Sequence, residues 1–285
     1  MKHRPRILMC DPEHFEVTYA INPWMLTGPV NVSRARDQWH ALHAVLSQFA
    51  DVSIMASVPG LPDLPFTANA GVVRGNVFVP SRFRHAERTG EEPHYTAWFR
   101  DRGFVVRTLP EGEISEGAGD ALVDSEQGCL WMGHGFRSDL RAAKSLASLL
   151  DIEVVPLGLV DPRFYHLDTC FCPLPGGGAM YVPTAFDARS RSAIETRVPR
   201  SLRLTLTEEE AAAFTCNAVV LGDRIFMNRR TERVAHQLEH FGLEVHPVAM
   251  DEFIKAGGSA RCLTLRLDVP AHGLRRVAEE WRASA

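Results

Sequence analysis

Two apolar runs meet at a glycine in the stretch Gly71-Val72-Val73-Arg74-Gly75-Asn76-Val77-Phe78-Val79. Paired apolar runs around a Gly-containing turn are typical of a β-hairpin, because glycine readily adopts the backbone angles of tight turns. The same pattern recurs at residues 121–132, 171–182 and 217–227. A last strand at residues 262–267 opens a fifth unit, whose closing strand could come from the N-terminal run at residues 7–10.

The units begin about 45 to 50 residues apart, a period typical of propellers and arrays. Helix-like stretches lie between the hairpins, at residues 138–150 with a serine cap and at 233–241 before Gly242. Each helix is followed by another strand, and these strands are predicted at residues 104–109, 153–159 and 243–248. We therefore predict one α/β domain, residues 1–285, of five ββαβ units around an axis. The alternative is an ordinary α/β protein, in which short strands also occur at such intervals.

The charge balance excludes several classes of partner. There are 31 Lys and Arg against 35 Asp and Glu, so the net charge is −4 and no broad basic face for nucleic acid is expected. No stretch approaches the roughly 20 apolar residues that span a membrane. The basic start is followed by only a short apolar run, so no secretory signal is expected. The six cysteines are then predicted to be reduced thiols in the cytoplasm.

Polar residues stand just before the strands that open each unit. Equivalent positions of a pseudo-symmetric ring meet at one end of its axis, so these residues are expected to form one site. They are Asn69, Glu116 with Asp120, His166 with Asp168, Asn217, and Cys262.

The pair His166 and Asp168 is predicted to lie on an extended strand with Leu167 facing the core, which puts the imidazole and the carboxylate on one face. This arrangement suits general acid–base catalysis. The alternative is a core histidine or a surface pair.

The turn Glu116-Gly117-Ala118-Gly119-Asp120 places two carboxylates around two glycines, which allow a ligand or another backbone to approach closely. The apolar run that follows predicts partial burial, where unpaired carboxylates are costly and a cationic ligand would relieve the cost. The alternative is an ordinary acidic turn.

Cys262 ends the Gly-rich loop at residues 256–261, and a thiol at such a mobile edge could be a nucleophile if a cation stabilises its thiolate. The alternative is a buried structural cysteine, which is the interpretation that suits Cys10 and Cys129. Cys170 and Cys172 lack the second ligand pair that zinc requires, so no metal site is predicted.

Two arginines, Arg88 and Arg137, could bind a substrate carboxylate with a bidentate fork. The alternative for each is a solvated surface side chain. The Pro-rich loop at residues 61–69 carries two further polar candidates, Asp63 and Asn69.

Taken together, these segments resemble the guanidino-group-modifying superfamily of arginine deiminases, dimethylargininases, amidinotransferases and arginine dihydrolases. The resemblance rests on residues 116–120, on Gly133-His134-Gly135-Phe136-Arg137-Ser138-Asp139, on residues 166–168 and on Cys262. Residues 9–15 and 21–25 resemble a narrower branch, which includes proteins labelled dimethylargininase and the amidinotransferase-like domain of arginine dihydrolases. The family fold is the five-bladed α/β propeller.

The resemblance implies a role for each matching position. Cys262 would attack the guanidinium carbon and form a covalent amidino-thioether, and His166 would protonate the leaving amine and then activate water. Glu116 and Asp168 would bind the guanidinium nitrogens. The remaining candidates for binding the substrate are Asn69, Arg88, Arg137, Asn22, Asp63 and Asp120. No metal or organic cofactor is implied.

Asn69 departs from the family pattern, because arginine deiminases and dimethylargininases generally carry an acidic residue there. A neutral amide can also accept the neutral ureido group of citrulline, which favours a dihydrolase that converts arginine to ornithine, carbon dioxide and two ammonia. The alternatives are a dimethylargininase, an amidinotransferase and a catalytically silent sensor or scaffold. The expected partner is a small guanidino compound, and relatives suggest a homodimer.

Overall fold

The computed structural model describes residues 4–271, so the ends of the predicted domain, residues 1–3 and 272–285, lie outside the described range. Within that range the strands form small three-stranded sheets. The strands are β1 Arg6–Cys10, β2 Asp51–Met55, β3 Gly71–Arg74, β4 Val77–Pro80, β5 Val105–Val106, β6 Ala121–Asp124, β7 Cys129–His134, β8 Glu153–Gly158, β9 Phe171–Leu174, β10 Gly178–Tyr181, β11 Arg203–Thr205, β12 Val219–Leu221, β13 Arg224–Met227, β14 Glu244–Pro247 and β15 Leu265–Arg266.

Helices connect the second strand of each sheet to the third, and two more lie between one sheet and the next. They are α1 Val32–Leu46, α2 Ala86–Thr89, α3 Glu92–Asp101, α4 Ala142–Leu150, α5 Ala188–Arg197, α6 Glu208–Ala212, α7 Glu232–His240 and α8 Asp251–Ile254. The two that lie between sheets are α6 and α8. None of the helices between residues 4 and 271 has the length and apolarity that a membrane crossing demands.

Five sheets share one topology, an antiparallel hairpin whose second strand pairs in parallel with a third strand. Thus β3 is antiparallel to β4, and β5 is parallel to β4. In the sheet that joins the two ends of the chain, β15 is antiparallel to β1 with Leu8 opposite Leu265, and β2 is parallel to β1. The predicted hairpins and the predicted pairing of the N-terminal run with the last strand are therefore confirmed.

The hairpin turns form because glycine occupies the positions that need positive φ. Gly75 has φ 60° between β3 and β4, and Gly222 has φ 62° between β12 and β13. A side chain at either position would be strained, since L residues rarely adopt this conformation.

The helices cover the sheets with apolar faces. In α1 the buried side chains include Trp39, Leu42 and Leu46, and the Asn31 side chain caps the helix by accepting from the Arg34 amide at 3.0 Å. In α4 the buried face is Ala142, Leu146 and Leu150. Each leucine buried in this way contributes about 1.5–3 kcal/mol, so packing of the helices on the sheets holds the units together.

Three sequence predictions about element bounds are wrong. The helix expected at residues 138–150 begins at Ala142, because the Ser138 hydroxyl bonds to a buried carboxylate instead of capping the helix, and Leu140 is 54 % exposed. The strand expected at residues 104–109 is only β5, and the strand expected at residues 262–267 is only β15, with Cys262 on the turn before it.

Candidate active site

A tight turn precedes the first strand of each sheet, and the polar residues singled out in the sequence lie within these turns or directly beside them. The turns are Thr67–Ala70 before β3, Gly117–Gly119 before β6, Leu167–Thr169 before β9, residues 213–216 before β12 and residues 260–263 before β15.

Hydrogen bonds join each of these turns to the next and the last turn to the first, so the predicted constellation is brought together. The bonds run from Asn69 Nδ2 to Glu116 O at 2.9 Å, from Leu167 N to Asp120 Oδ1 at 3.1 Å, from Asn217 Nδ2 to Asp168 O at 3.2 Å, from Cys262 N to Asn217 Oδ1 at 3.2 Å, and from Ala68 N to Cys262 O at 3.0 Å. We call this arrangement the ring of five turns.

The Cys262 thiol lies inside this ring and is 3 % exposed. Its sulfur donates to Asp168 Oδ2 at 3.4 Å and accepts from Asn217 Nδ2 at 3.1 Å. Burial, and then the Asp168 carboxylate, raise the pKa of this thiol well above its usual value. The expectation of a mobile edge is wrong, because residues 256–260 before the thiol are buried as well.

His166 lies between two carboxylates, with Nδ1 3.1 Å from Asp120 Oδ2 and Nε2 3.4 Å from Glu116 Oε2. A carboxylate beside one ring nitrogen favours a proton on that nitrogen and orients the ring. The His166 and Asp168 side chains do not share a strand face as predicted, since Leu167–Thr169 form a turn of 3-10 helix. Because of this turn, the Asp168 carboxylate faces the sulfur of Cys262 and the His166 imidazole faces Glu116.

Asp120 is buried among protein donors. Its Oδ2 accepts from the Ser138 hydroxyl at 2.6 Å, and its Oδ1 accepts from the Leu167 amide. The sequence suggested that Asp120 binds a ligand, but these contacts favour a role in holding His166. Sequence reasoning missed Ser138, which it placed at a helix cap.

Glu116 is fully buried and paired with Arg137, whose Nη1 lies 2.9 Å from Glu116 Oε2. Burial alone would raise the pKa of Glu116, but Arg137 and then His166 outweigh it and hold this pKa below its usual value. The carboxylate is therefore ionised at neutral pH. Gly117 follows with φ 66°, and a Cβ there would lie 2.7 Å from Gly71 N, so the predicted need for glycine in this turn is confirmed.

Arg88 is buried rather than solvated. Its guanidinium makes a bidentate pair with Glu91, with Nε to Oε1 and Nη2 to Oε2 both at 2.8 Å, and its Nη1 donates to Asn69 Oδ1 at 3.0 Å. Because the Asn69 oxygen faces Arg88, its amide nitrogen faces Glu116 O and lies 3.3 Å from His166 Nε2. Glu91 was missed in the sequence, where its only signal is the helical spacing of three from Arg88.

A small cavity of about 10 Å³ opens above the thiol. Arg137 lines it and stacks 4.7 Å over the Tyr165 ring, and Asn22 ties the N-terminal segment to it by donating to Ala256 O at 3.1 Å. Asp63 contributes a buried carboxylate oxygen, Oδ1, that has no hydrogen-bond partner among the described residues. The residues around the cavity are Ile21, Asn22, Met25, Asp63, Phe66, Asn69, Arg88, Arg137, Tyr165, Ala256, Gly258 and Cys262. No three His, Cys, Asp or Glu side chains within residues 4–271 are placed to hold a metal ion.

Burial raises the pKa of Asp168 from 3.8 to about 6. The native protein therefore binds a proton more readily than the unfolded chain between these pH values, and the ionised carboxylate costs stability above them. We expect Asp168→Asn to raise the free energy of unfolding by up to about 3 kcal/mol at pH 8, because each pKa unit corresponds to about 1.4 kcal/mol. The gain should shrink as the pH falls through 6 and vanish near pH 4. Denaturant titrations at pH 8, 6 and 4 measure it.

The matched control is Asp161→Asn, because hydrogen bonds from Arg163 lower the pKa of Asp161. Its substitution should reduce stability at pH 8 rather than increase it. An Asp168→Asn variant that is less stable than the parent at pH 8 would contradict the assignment of Asp168 as a costly buried charge.

Comparison with known proteins places this arrangement in a family. The family of eukaryotic N,N dimethylarginine dimethylhydrolases matches residues 13–269. The bifunctional arginine dihydrolase/ornithine cyclodeaminase ArgZ of Synechocystis sp. is 50% identical over 93% of this chain, and the match covers 38% of that protein. The N(G),N(G)-dimethylarginine dimethylaminohydrolase of Mycobacterium tuberculosis is 37% identical over 92% of this chain and 85% of its own length.

Solved structures of relatives also have the same fold as this chain. The N-terminal domain of ArgZ bound to its substrate has a TM-score of 0.92 and 48% identity, covering 94% of this chain and 100% of that chain. A single-residue variant of the same domain has also been solved covalently bound to a reaction intermediate, again with a TM-score of 0.92 and 48% identity, covering 94% of this chain and 99% of that chain. The chain thus spans about two fifths of the length of the full ArgZ protein. Both the fold and the sequence therefore show that the chain belongs to the dimethylarginine dimethylhydrolase family of guanidino-modifying enzymes.

Proposed function

We propose that this chain hydrolyses arginine through a covalent intermediate on Cys262 and yields ornithine, carbon dioxide and two ammonia. The observation that carries the proposal is the neutral amide of Asn69, held by Arg88 at the wall of the cavity that contains the thiol. The relatives support it, since ArgZ is named a bifunctional arginine dihydrolase/ornithine cyclodeaminase and a single-residue variant of its N-terminal domain has been solved covalently bound to a reaction intermediate.

The buried carboxylates of the site would attract the cationic guanidinium of the substrate. Glu116 is ionised, and Asp168 is ionised above about pH 6. A guanidinium placed between them supplies the cation that the buried Asp168 carboxylate lacks, and it stabilises a thiolate on Cys262 at the same time. Arg137 is the better placed of the two arginines for the substrate carboxylate, because only two of its N–H groups donate to described residues, Glu116 and Ile21.

The first round converts arginine and water to citrulline and ammonia. The Cys262 thiolate attacks the guanidinium carbon, the departing nitrogen takes a proton from His166, and the carbon stays bound to sulfur. His166 then removes a proton from water, which attacks the same carbon and releases citrulline and the thiol. Acid–base help of this kind contributes about 10²–10⁴-fold, and covalent capture divides the difficult step in two.

The second round converts citrulline and water to ornithine, carbon dioxide and ammonia. Citrulline carries a neutral ureido oxygen, which needs a hydrogen-bond donor rather than a second carboxylate. The Asn69 amide nitrogen, 3.3 Å from His166 Nε2, offers that donor beside the catalytic base.

The architecture that we propose for residues 4–271 is a five-bladed propeller. Two observations support it: the ring of five turns closes on itself, and a larger cavity of about 160 Å³ is lined by the first strand of each sheet. Its lining includes Val72 of β3, Leu122 of β6, Phe171 of β9, Val220 of β12 and Leu265 of β15. A homodimer and a cytoplasmic location stay predictions.

The second candidate is a dimethylargininase, which the family match and the mycobacterial relative favour.

Purified protein should release ornithine and two ammonia per arginine without added metal, and little dimethylamine from dimethylarginine. Amino-acid analysis and an ammonia assay with both substrates side by side measure this, with the Cys262→Ser protein as the blank.

Each alternative predicts a different product. Citrulline that accumulates from arginine indicates a deiminase, and dimethylamine from dimethylarginine indicates the second candidate. Turnover only with an amine acceptor indicates an amidinotransferase, and no turnover at all indicates a silent scaffold. Any of these results contradicts the dihydrolase proposal.

A further inference from the structure

The buried amide of Asn217 touches the sulfur of Cys262, and the sequence assigned it no role. Its Oδ1 accepts from Ser259 N at 3.1 Å and from Cys262 N at 3.2 Å, and its Nδ2 donates to Asp168 O at 3.2 Å and to Cys262 Sγ at 3.1 Å. One side chain therefore meets the backbone of the Gly-rich loop, the backbone of the Asp168 turn and the reacting atom.

These contacts determine which end of the amide faces the sulfur. Two backbone N–H groups, from Ser259 and Cys262, require an oxygen, whereas Asp168 O requires a donor. A rotated amide would oppose donors with donors and an acceptor with an acceptor, which is costly in a buried site. The group that faces the sulfur is thus an N–H donor.

Two neighbours act on the sulfur in opposite directions. Asp168 Oδ2 accepts the S–H proton and so favours the neutral thiol, whereas the Asn217 N–H favours the negative thiolate, since hydrogen bonds to charged acceptors are stronger. Burial and then Asp168 raise the pKa of this thiol, and the Ser259 N–H and the Asn217 amide lower it. Once a cation pairs with Asp168, the opposing influence is cancelled and the amide donor remains.

We infer that Asn217 is a catalytic residue that stabilises the Cys262 thiolate through an N–H···S hydrogen bond and holds the loop that carries the sulfur. For its place in turnover the inference rests on the proposed function. The stabilisation of the thiolate itself is a property of the empty protein and can be measured without substrate.

The experiment measures the rate at which iodoacetamide alkylates Cys262 at pH 7 to 9, followed by mass spectrometry of the peptide that contains residue 262. Loss of a hydrogen bond to a charged group shifts the thiol pKa by about one to two units. The remaining thiolate is intrinsically more nucleophilic, which offsets about half of that shift. We therefore expect Asn217→Ala to alkylate about 3- to 15-fold more slowly. Its kcat should fall with little change in KM, because Asn217 does not line the cavity.

Asn217→Asp is the isosteric variant, and it decides the question if Asn217→Ala does not fold. One carboxylate oxygen can still accept from Ser259 N and Cys262 N, while the other faces the sulfur and repels the thiolate. It should alkylate more slowly than Asn217→Ala. The matched control is Asn228→Ala, which removes another buried amide that donates to Ala213 O at 3.0 Å and accepts from Met250 N at 3.1 Å. It should lower Tm and leave the alkylation rate unchanged.

Parent-like alkylation in the folded Asn217 variants overturns the inference. Slower alkylation in the variants, with no release of ammonia from any guanidino compound by the parent, upholds the inference and removes the proposed function. Turnover by the parent together with parent-like alkylation in the variants upholds the proposed function and overturns the inference about Asn217.

Discussion

Cys262→Ser is expected to lower the turnover of arginine by roughly 10⁴- to 10⁶-fold, as the loss of a nucleophile does in other covalent enzymes. A hydroxyl is far less acidic than a thiol, and the groups that contact this position, Asp168 and Asn217, include no base suited to ionise it. Single-turnover assays with arginine measure the loss. Mass spectrometry of quenched parent enzyme should show an adduct on the peptide that contains residue 262, and the variant should show none.

The fold should survive this change. A serine hydroxyl can still donate to Asp168 and accept from Asn217, so the free energy of unfolding should change by less than about 1 kcal/mol. The control is Cys129→Ala, which removes a fully buried thiol from β7. It should reduce stability while the folded protein keeps its turnover. Retained activity in Cys262→Ser would contradict the assignment of Cys262 as the nucleophile.

Asn69→Asp is expected to convert the proposed dihydrolase into an enzyme that accumulates citrulline. The new carboxylate keeps the contact with Arg88, but it loses the N–H that donates to Glu116 O and faces His166. Citrulline would meet an acceptor where its ureido oxygen needs a donor, and an unmade buried hydrogen bond costs about 1–3 kcal/mol, or roughly 5- to 150-fold in rate. The cationic guanidinium of arginine is attracted by the added charge, so the first round should persist.

Time courses of citrulline and ornithine from arginine measure this change. Asn228→Asp is the matched control, because it makes the same replacement at a buried amide outside the residues that line the cavity. Its product ratio should equal that of the parent. An Asn69→Asp protein that yields ornithine in the parent proportion would contradict the role that we give to Asn69.

The unit structure of the fold could be predicted from the sequence because hairpins are local. Gly75 and Gly222 supply turn conformations that few other residues adopt, and the apolar runs beside them are adjacent in the chain. The pairing of β1 with β15 joins distant segments, and it was predictable only because the repeat left one strand without a partner.

The bounds of elements were less predictable where a side chain had a better partner far away in the sequence. Serine is typical of a helix N-cap, yet the Ser138 hydroxyl donates to Asp120 across the site. His166 and Asp168 alternate as in a strand, but the turn at Leu167–Thr169 separates them. Both outcomes depend on buried hydrogen bonds that local propensity does not describe.

By itself the sequence predicted the repeating units from short-range patterns, and the resemblance of its motifs to a known family predicted the family and the candidate residues Cys262, His166 and Glu116. Only the tertiary structure decided what each of these groups faces. Burial raises the pKa of Asp168, and Arg88 pairs with Glu91 inside the protein. Closure of the ring of five turns brings the amide of Asn217 to the sulfur of Cys262. The physical reason is that pKa values and hydrogen-bond partners depend on neighbours across space, which the order of residues does not specify.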